Sequence, residues 1–304
     1  MARIIAYVVL GVGLGLLAGC PLLPPPLPPP DEVLRGLSAA ILQPELTCAE
    51  LRDDFELNDL PLVDTPDEVG ITYEEAWLPV AAGHELRVWI MPGGTRGVVV
   101  VSPGNSGPMS CYLFTAELLT EGGWTVVLYD YEGFGRSTGE PSLLTLRDDL
   151  DAVVDWTREQ TGHDRVTLFG MSLGSIPSVA VAVARPWAVN GVILDSPVAL
   201  GVQIERFDRL VQGRAAEILA IVQFWAPWLV AEDHIGWMTA PLLVLLGDKD
   251  VVTPPGTVQV LYDHARGPKR LVVFEGLGHA AAQFLRTAEY KAEVETFLTQ
   301  VWGE

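Results

Sequence analysis

The feature that most constrains the fold of this chain is Gly170-Met171-Ser172-Leu173-Gly174, directly after the apolar run Val166-Thr167-Leu168-Phe169. A serine flanked by glycines, between that run and the apolar stretch from Ile176 to Ala184, reads as a strand, a strained turn and a helix. Glycine tolerates backbone conformations and close approaches that other residues do not, so the turn can lift the serine hydroxyl above a sheet edge. Ser172 is therefore a candidate nucleophile. Such a serine needs a base to take its proton and an acid to orient that base.

Both partners have candidates downstream. Pro241-Leu242-Leu243-Val244-Leu245-Leu246 is an unbroken apolar run, the pattern of a parallel strand buried on both faces. It leads into Gly247-Asp248-Lys249-Asp250-Val251-Val252-Thr253-Pro254, where a carboxylate would sit on the same rim as the serine. Asp248 and Asp250 are both candidates, and Asp195, after Gly191-Val192-Ile193-Leu194, is a third. A further strand, Arg270 to Glu275, precedes Gly276-Leu277-Gly278-His279. Of the five histidines, only His279 lies in a glycine-flanked loop after a strand and downstream of both serine and acid. That order and placement point to the base.

Together with Asp130-Tyr131-Glu132-Gly133-Phe134-Gly135-Arg136-Ser137, these blocks resemble the α/β-hydrolase-fold serine hydrolases, in particular esterase-like members, from about residue 72 to 302. The resemblance implies a mostly parallel sheet with helices on both faces and a helical cap insertion. It places the acid three residues after the strand-ending glycine, at Asp250, and leaves Asp248 as a turn residue bonding local amides. It also implies an oxyanion hole from the backbone N–H groups of Leu173 and Asn105. Asn105 lies in the loop Ser102-Pro103-Gly104-Asn105-Ser106-Gly107, where Pro103 stands in place of the family's usual histidine. The implied chemistry is acyl transfer from an ester or thioester to water through Ser172, His279 and Asp250, with no organic cofactor. No metal is expected either, because the histidines are scattered and the cysteines lack ligand-like spacing. A peptide or amide bond is the alternative substrate for the same triad. A non-catalytic binding lipoprotein is a third reading, against which the presence of all three triad residues weighs.

The remainder of residues 71–304 alternates strands and helices as a two-sided sheet requires, with strands expected near 72–79, 85–91, 97–101, 124–130, 165–170, 190–195, 241–246 and 270–275. Residues 196–240 interrupt that alternation and are rich in aromatic residues. Insertions there commonly cap the nucleophile, so Trp225 and Trp228, with Phe134, are candidate contacts for a small or lipid-like acyl substrate. The other reading has these aromatics buried against the core.

The N-terminus carries a second signal. Met1-Ala2-Arg3 is short and basic, Ile4 to Ala18 is apolar, and Leu17-Ala18-Gly19-Cys20 resembles a bacterial lipobox. Residues 1–19 thus read as a lipoprotein signal peptide and Cys20 as the lipidated first residue of a mature protein anchored in the cell envelope. Proline rather than aspartate follows Cys20, so retention at the inner membrane is not indicated, and the resemblance to Gram-negative lipoproteins favours the outer membrane or periplasmic face. Pro21 to Pro30 holds seven prolines, a stiff spacer within the linker 20–30. Residues 31–70 form an acidic extension with helical spacing at Leu34, Leu37, Ala40 and Ile41 and again at Cys48, Leu51 and Phe55. In an oxidising compartment Cys48 and Cys111 can pair, tying the extension to the region beside Asn105, or remain two buried thiols. A net charge of −20 argues against nucleic acid as a partner.

Overall fold

A computed structural model describes residues 27–54 and 62–303. Its frame is an eight-stranded sheet of β1 (Glu74–Pro79), β2 (Glu85–Met91), β3 (Val98–Ser102), β4 (Thr125–Tyr129), β5 (Val166–Met171), β6 (Val189–Asp195), β7 (Leu242–Gly247) and β8 (Lys269–Phe274). The order across the sheet is β1-β2-β4-β3-β5-β6-β7-β8. β1 and β2 pair antiparallel, β2 joins β4 antiparallel, and every later pairing is parallel. This is the α/β-hydrolase fold that the motifs implied.

The apolar runs form these strands because both faces of the sheet are covered. In β3, Val98 and Val100 join one hydrophobic cluster while Val99 and Val101 join another on the opposite face. All four are fully buried, each contributing about 1.5–3 kcal/mol of apolar transfer. The same alternation splits Leu242 and Val244 from Leu243 and Leu245 in β7.

The extension begins with α1 (Pro30–Ile41) and α2 (Cys48–Asp54). Proline at its first position and Asp31 and Glu32 in its first turn favour the start of α1, and Leu34, Leu37 and Ala40 bury its apolar stripe. Next come α3 (Leu113–Glu121), α4 (Leu146–Thr161), α5 (Ser175–Ala184), then α6 (Leu200–Arg206), α7 (Ala215–Trp225) and the short α8 (Ala231–His234). The chain closes with α9 (Pro255–His264), the short α10 (Ala282–Leu285) and α11 (Thr287–Trp302). Side chains of α1, α4, α5, α7 and α9 pack in the first cluster, and those of α3 and α11 in the second. Residues 196–240 contain α6, α7 and α8 joined by turns, and α7 packs on α1.

Parallel strands carry their C-terminal ends to one edge, where an α/β sheet gathers its functional loops. The register pairs Ser102 with Gly170, Met171 with Asp195, and Gly247 with Phe274. The loops after β3, β5, β6, β7 and β8 therefore lie side by side.

Candidate active site

Ser172 follows β5 with φ of 48°, a left-handed conformation rare for a side-chain-bearing residue. The neighbouring glycines are needed for space. A Cβ on Gly174 would collide with the Ser102 carbonyl, and one on Gly170 would lie 2.6 Å from the Gly174 carbonyl and 2.7 Å from Ser178 Oγ. The turn is buttressed by Ser175, whose hydroxyl donates to the Ser172 carbonyl at 2.6 Å and accepts from the Val198 N–H at 2.9 Å. Strain of this kind, held by its surroundings, is characteristic of functional turns.

His279 and Asp250 meet beside this turn. His279 Nδ1 lies 2.8 Å from Asp250 Oδ2, and the Asp250 side chain is wholly buried. The other carboxylate oxygen accepts the Val252 N–H at 2.9 Å and the Thr253 N–H at 2.8 Å, while the Thr253 hydroxyl lies 2.8 Å from Oδ2. Burial pushes the Asp250 carboxyl up, but the His279 hydrogen bond and charge and the Thr253 donors outweigh it, leaving its pKa below the ordinary value. An ionised Asp250 can only accept, so the His279 Nδ1–H donates to it, and in the neutral ring that tautomer puts the lone pair on Nε2. Such an imidazole can accept a proton from a hydroxyl.

The two competing carboxylates are occupied elsewhere. Asp248 accepts the Gly276 N–H at 2.6 Å and pairs with Lys249 at 3.2 Å, bridging two loops. Asp195 accepts from Tyr290 Oη at 2.7 Å and from Ser196 Oγ at 3.1 Å. Burial pushes the Asp195 pKa up to about 6. Ser196 Oγ accepts the Ala280 N–H at 2.9 Å, so this carboxylate supports the backbone next to His279.

The loop containing Asn105 lies against Ser172, since a Cβ on Gly104 would stand 3.6 Å from Ser172 Cβ. Its bracing comes from the N-terminal extension. The Asn105 carbonyl accepts the Gln43 N–H at 2.8 Å, the Gln43 carbonyl accepts the Gly107 N–H at 3.1 Å, and Asn105 Nδ2 donates to the Ile41 carbonyl at 2.8 Å. Tyr131 Oη donates to the Pro103 carbonyl at 3.1 Å. Cys48 and Cys111 are joined as a disulfide, which fastens α2 to the turn before α3. Their separation of 63 residues corresponds to about 4 kcal/mol in the chain-entropy picture.

A cavity of about 180 Å³ is lined by Ser172 and His279 together with Leu51, Val63, Phe114 and Phe284. Phe134, Trp225 and Trp228, the expected substrate contacts, do not line this cavity. Phe134 is 2% exposed and packs edge-on against Tyr131 in the core. Trp225, at the end of α7, is 61% exposed beside Phe224. Trp228 is partly buried against the first cluster with Arg147 over its ring. None of residues 196–240 lines the cavity, although Gln203 on α6 reaches the Val252 carbonyl at 2.9 Å. The extension supplies walls that the sequence did not reveal as such. Only the possible Cys48–Cys111 pairing hinted at them. Cys20 lies outside the described residues, and among those residues no helix is long and apolar enough to cross a membrane.

An elbow serine, a histidine–aspartate pair and this strand order define a hydrolase of the α/β type. The family described as "Serine aminopeptidase, S33" matches residues 93–233. An uncharacterized protein of Mycobacterium tuberculosis is 33% identical over 230 residues, covering 72% of this chain and 76% of that protein. The chain belongs to the α/β-hydrolase family. Its fold is shared by the Pyrococcus furiosus esterase Pf2001, with a TM-score of 0.65, 19% identity, and coverage of 79% of this chain and 98% of that one. It is also shared by a Paleococcus ferrophilus monoacylglycerol lipase, with a TM-score of 0.54, 20% identity, and coverage of 76% and 100%.

Proposed function

We propose that this protein hydrolyses carboxylic esters or thioesters through an acyl-enzyme on Ser172. The observation that carries the reading is the 2.8 Å contact between a buried, ionised Asp250 and His279, which lines one cavity with Ser172. His279 takes the Ser172 proton as the hydroxyl oxygen attacks the carbonyl carbon, and Asp250 stabilises the imidazolium that forms. Negative charge on the carbonyl oxygen is met by the backbone N–H groups of Leu173 and Asn105. Collapse of the tetrahedral intermediate expels the alcohol or thiol, which receives the proton from His279. Water then enters and gives His279 a proton as its oxygen attacks the acyl carbon. The bond to Ser172 Oγ breaks, His279 returns the proton to Oγ, and the acyl group leaves as a carboxylic acid.

The esterase and lipase among the structural relatives support an ester as the bond cleaved. The family description favours one second reading, an amide or peptide bond. Parallel assays of p-nitrophenyl esters, acyl thioesters and amino-acid p-nitroanilides, with Ser172→Ala as control, test the choice. Ester or thioester turnover lost in the variant supports the proposal, and exclusive anilide turnover overturns it.

We also propose that the chain is exported and lipidated on Cys20, as the Leu17-Ala18-Gly19-Cys20 box suggests. A disulfide at Cys48–Cys111 suits that compartment. Metabolic labelling with an alkyne fatty acid in a bacterial host should mark the wild type and not Cys20→Ser. Equal labelling of both would refute the assignment.

A further inference from the structure

The extension does more than lie on the hydrolase core, because it forms part of the cavity wall. Leu51, Leu62 and Val63 line the same cavity as Ser172 and His279. The loop they approach is shaped for them. Gly107 has φ of 71°, and a Cβ there would lie 2.9 Å from the Leu46 carbonyl, 3.0 Å from Cys111 Sγ and 3.0 Å from Leu51 Cδ1. A side chain at that position would be strained at this φ and would force the Leu46 backbone of the extension to shift. The Gln43 backbone bonds and the disulfide hold the extension against the Asn105 loop from two directions. Wall and candidate oxyanion loop are thus one mechanical unit.

The cavity's size and chemistry limit what it can hold. Its 180 Å³ is slightly more than a cavity that takes up benzene, so it has room for a short chain of about as many carbons as benzene. Its lining is mostly apolar, and Glu117 is the one carboxylate among the described lining residues. Burial and the nearby Glu121 charge push the Glu117 pKa up. A neutral aliphatic chain fits such a space, and an acyl group with its own carboxylate does not.

We propose that the extension is an acyl-length gauge, in which Leu51, Leu62 and Val63, clamped by Cys48–Cys111, restrict the acyl group to about the length of hexanoate or octanoate. The proposal rests on the serine-hydrolase reading and names its substrate class. A longer chain would have to displace the wall, and a single badly fitted methylene changes selectivity about tenfold or more. Leu51→Ala removes three carbons from the wall and opens room for about two methylenes.

The test uses the full-length protein in detergent with p-nitrophenyl esters from acetate to palmitate. The leaving group is constant, so the profile reports the acyl side alone. Active sites are counted by fluorophosphonate labelling, and the readout is the laurate-to-hexanoate ratio of kcat/KM, which misfolded protein does not alter. The wild type should peak at hexanoate or octanoate and fall by about tenfold or more by laurate. Leu51→Ala should move the peak up by about two carbons. Cys48→Ser/Cys111→Ser should raise the ratio by about threefold or more as the wall loosens. Ser172 labelling with an unchanged ratio in both variants, or a wild-type optimum at any chain other than hexanoate or octanoate, overturns the gauge and leaves the hydrolase reading standing. Absence of labelling at Ser172 overturns both.

Discussion

Replacing Asp250 by asparagine keeps the shape of the site and changes one proton, and the surrounding hydrogen bonds fix where that proton goes. The Val252 and Thr253 N–H groups both point at Oδ1, so the amide oxygen of the introduced asparagine must take that position. The flipped amide would set its NH2 against two donors, an arrangement that costs about 1–3 kcal/mol for each buried group left unsatisfied. The NH2 therefore replaces Oδ2 and faces His279 Nδ1 at 2.8 Å. His279 must then accept at Nδ1 and carry its proton on Nε2, where it cannot take one from Ser172. The neighbouring Asp195 cannot substitute, because Tyr290 and Ser196 hold its oxygens. The expected loss is about 10⁴-fold in kcat, or about 5 kcal/mol of transition-state stabilisation. Steady-state hydrolysis of a p-nitrophenyl ester, alongside thermal unfolding to show that the variant is folded, measures it. Asp248→Asn still accepts the Gly276 N–H and should lose less than about tenfold. A loss below about tenfold for Asp250→Asn, or a greater one for Asp248→Asn, would refute the tautomer argument.

Three further outcomes are expected. Cys48→Ser/Cys111→Ser, or reduction of the wild type, should lower unfolding free energy by about 2–4 kcal/mol in urea titrations, and an unchanged midpoint would show that the clamp adds nothing to stability. Gly174→Ala forces a Cβ into the Ser102 carbonyl and should destabilise by about 3 kcal/mol or prevent folding. Gly256→Ala, with open space in α9, should be neutral or stabilising by up to about 1 kcal/mol, and equal effects at the two positions would contradict the steric account of the elbow. Asp149 accepts the Glu132 N–H at 3.0 Å, and burial pushes its pKa up to about 8. A raised carboxyl stabilises the fold fully below its unfolded pKa, and that contribution fades as pH rises to about 8. Asp149→Asn keeps a carbonyl for the same bond without titrating, so the melting temperature of the wild type should decline relative to the variant between about pH 5 and pH 8. Parallel curves would refute that assignment.

The fold was legible because its signals are local. Unbroken apolar runs such as Leu242 to Leu246 occur where helices cover both faces of a parallel strand, and the glycines around Ser172 report a turn that only they can fit. The separate environments of Asp248 and Asp250 were not local. They depend on Gly276 and His279, both distant in sequence, and resemblance rather than residue pattern told the two apart. The cavity wall was hidden for the same reason. Leu51 and Leu62 meet Phe114 and Phe284 only after the chain has folded back on itself, and no periodicity in a short extension says which surface it will cover. Trp225 and Trp228 misled in the opposite sense. An aromatic-rich insertion near a nucleophile suggests a pocket lining, yet these rings lie away from the cavity.

A fluorophosphonate probe, with the labelled residue mapped by mass spectrometry, reads the activation of Ser172 itself. A single adduct is expected on Ser172, lost in Ser172→Ala and strongly slowed in His279→Ala. A well-folded protein that takes up no probe, or takes it up on another residue, would contradict that activation.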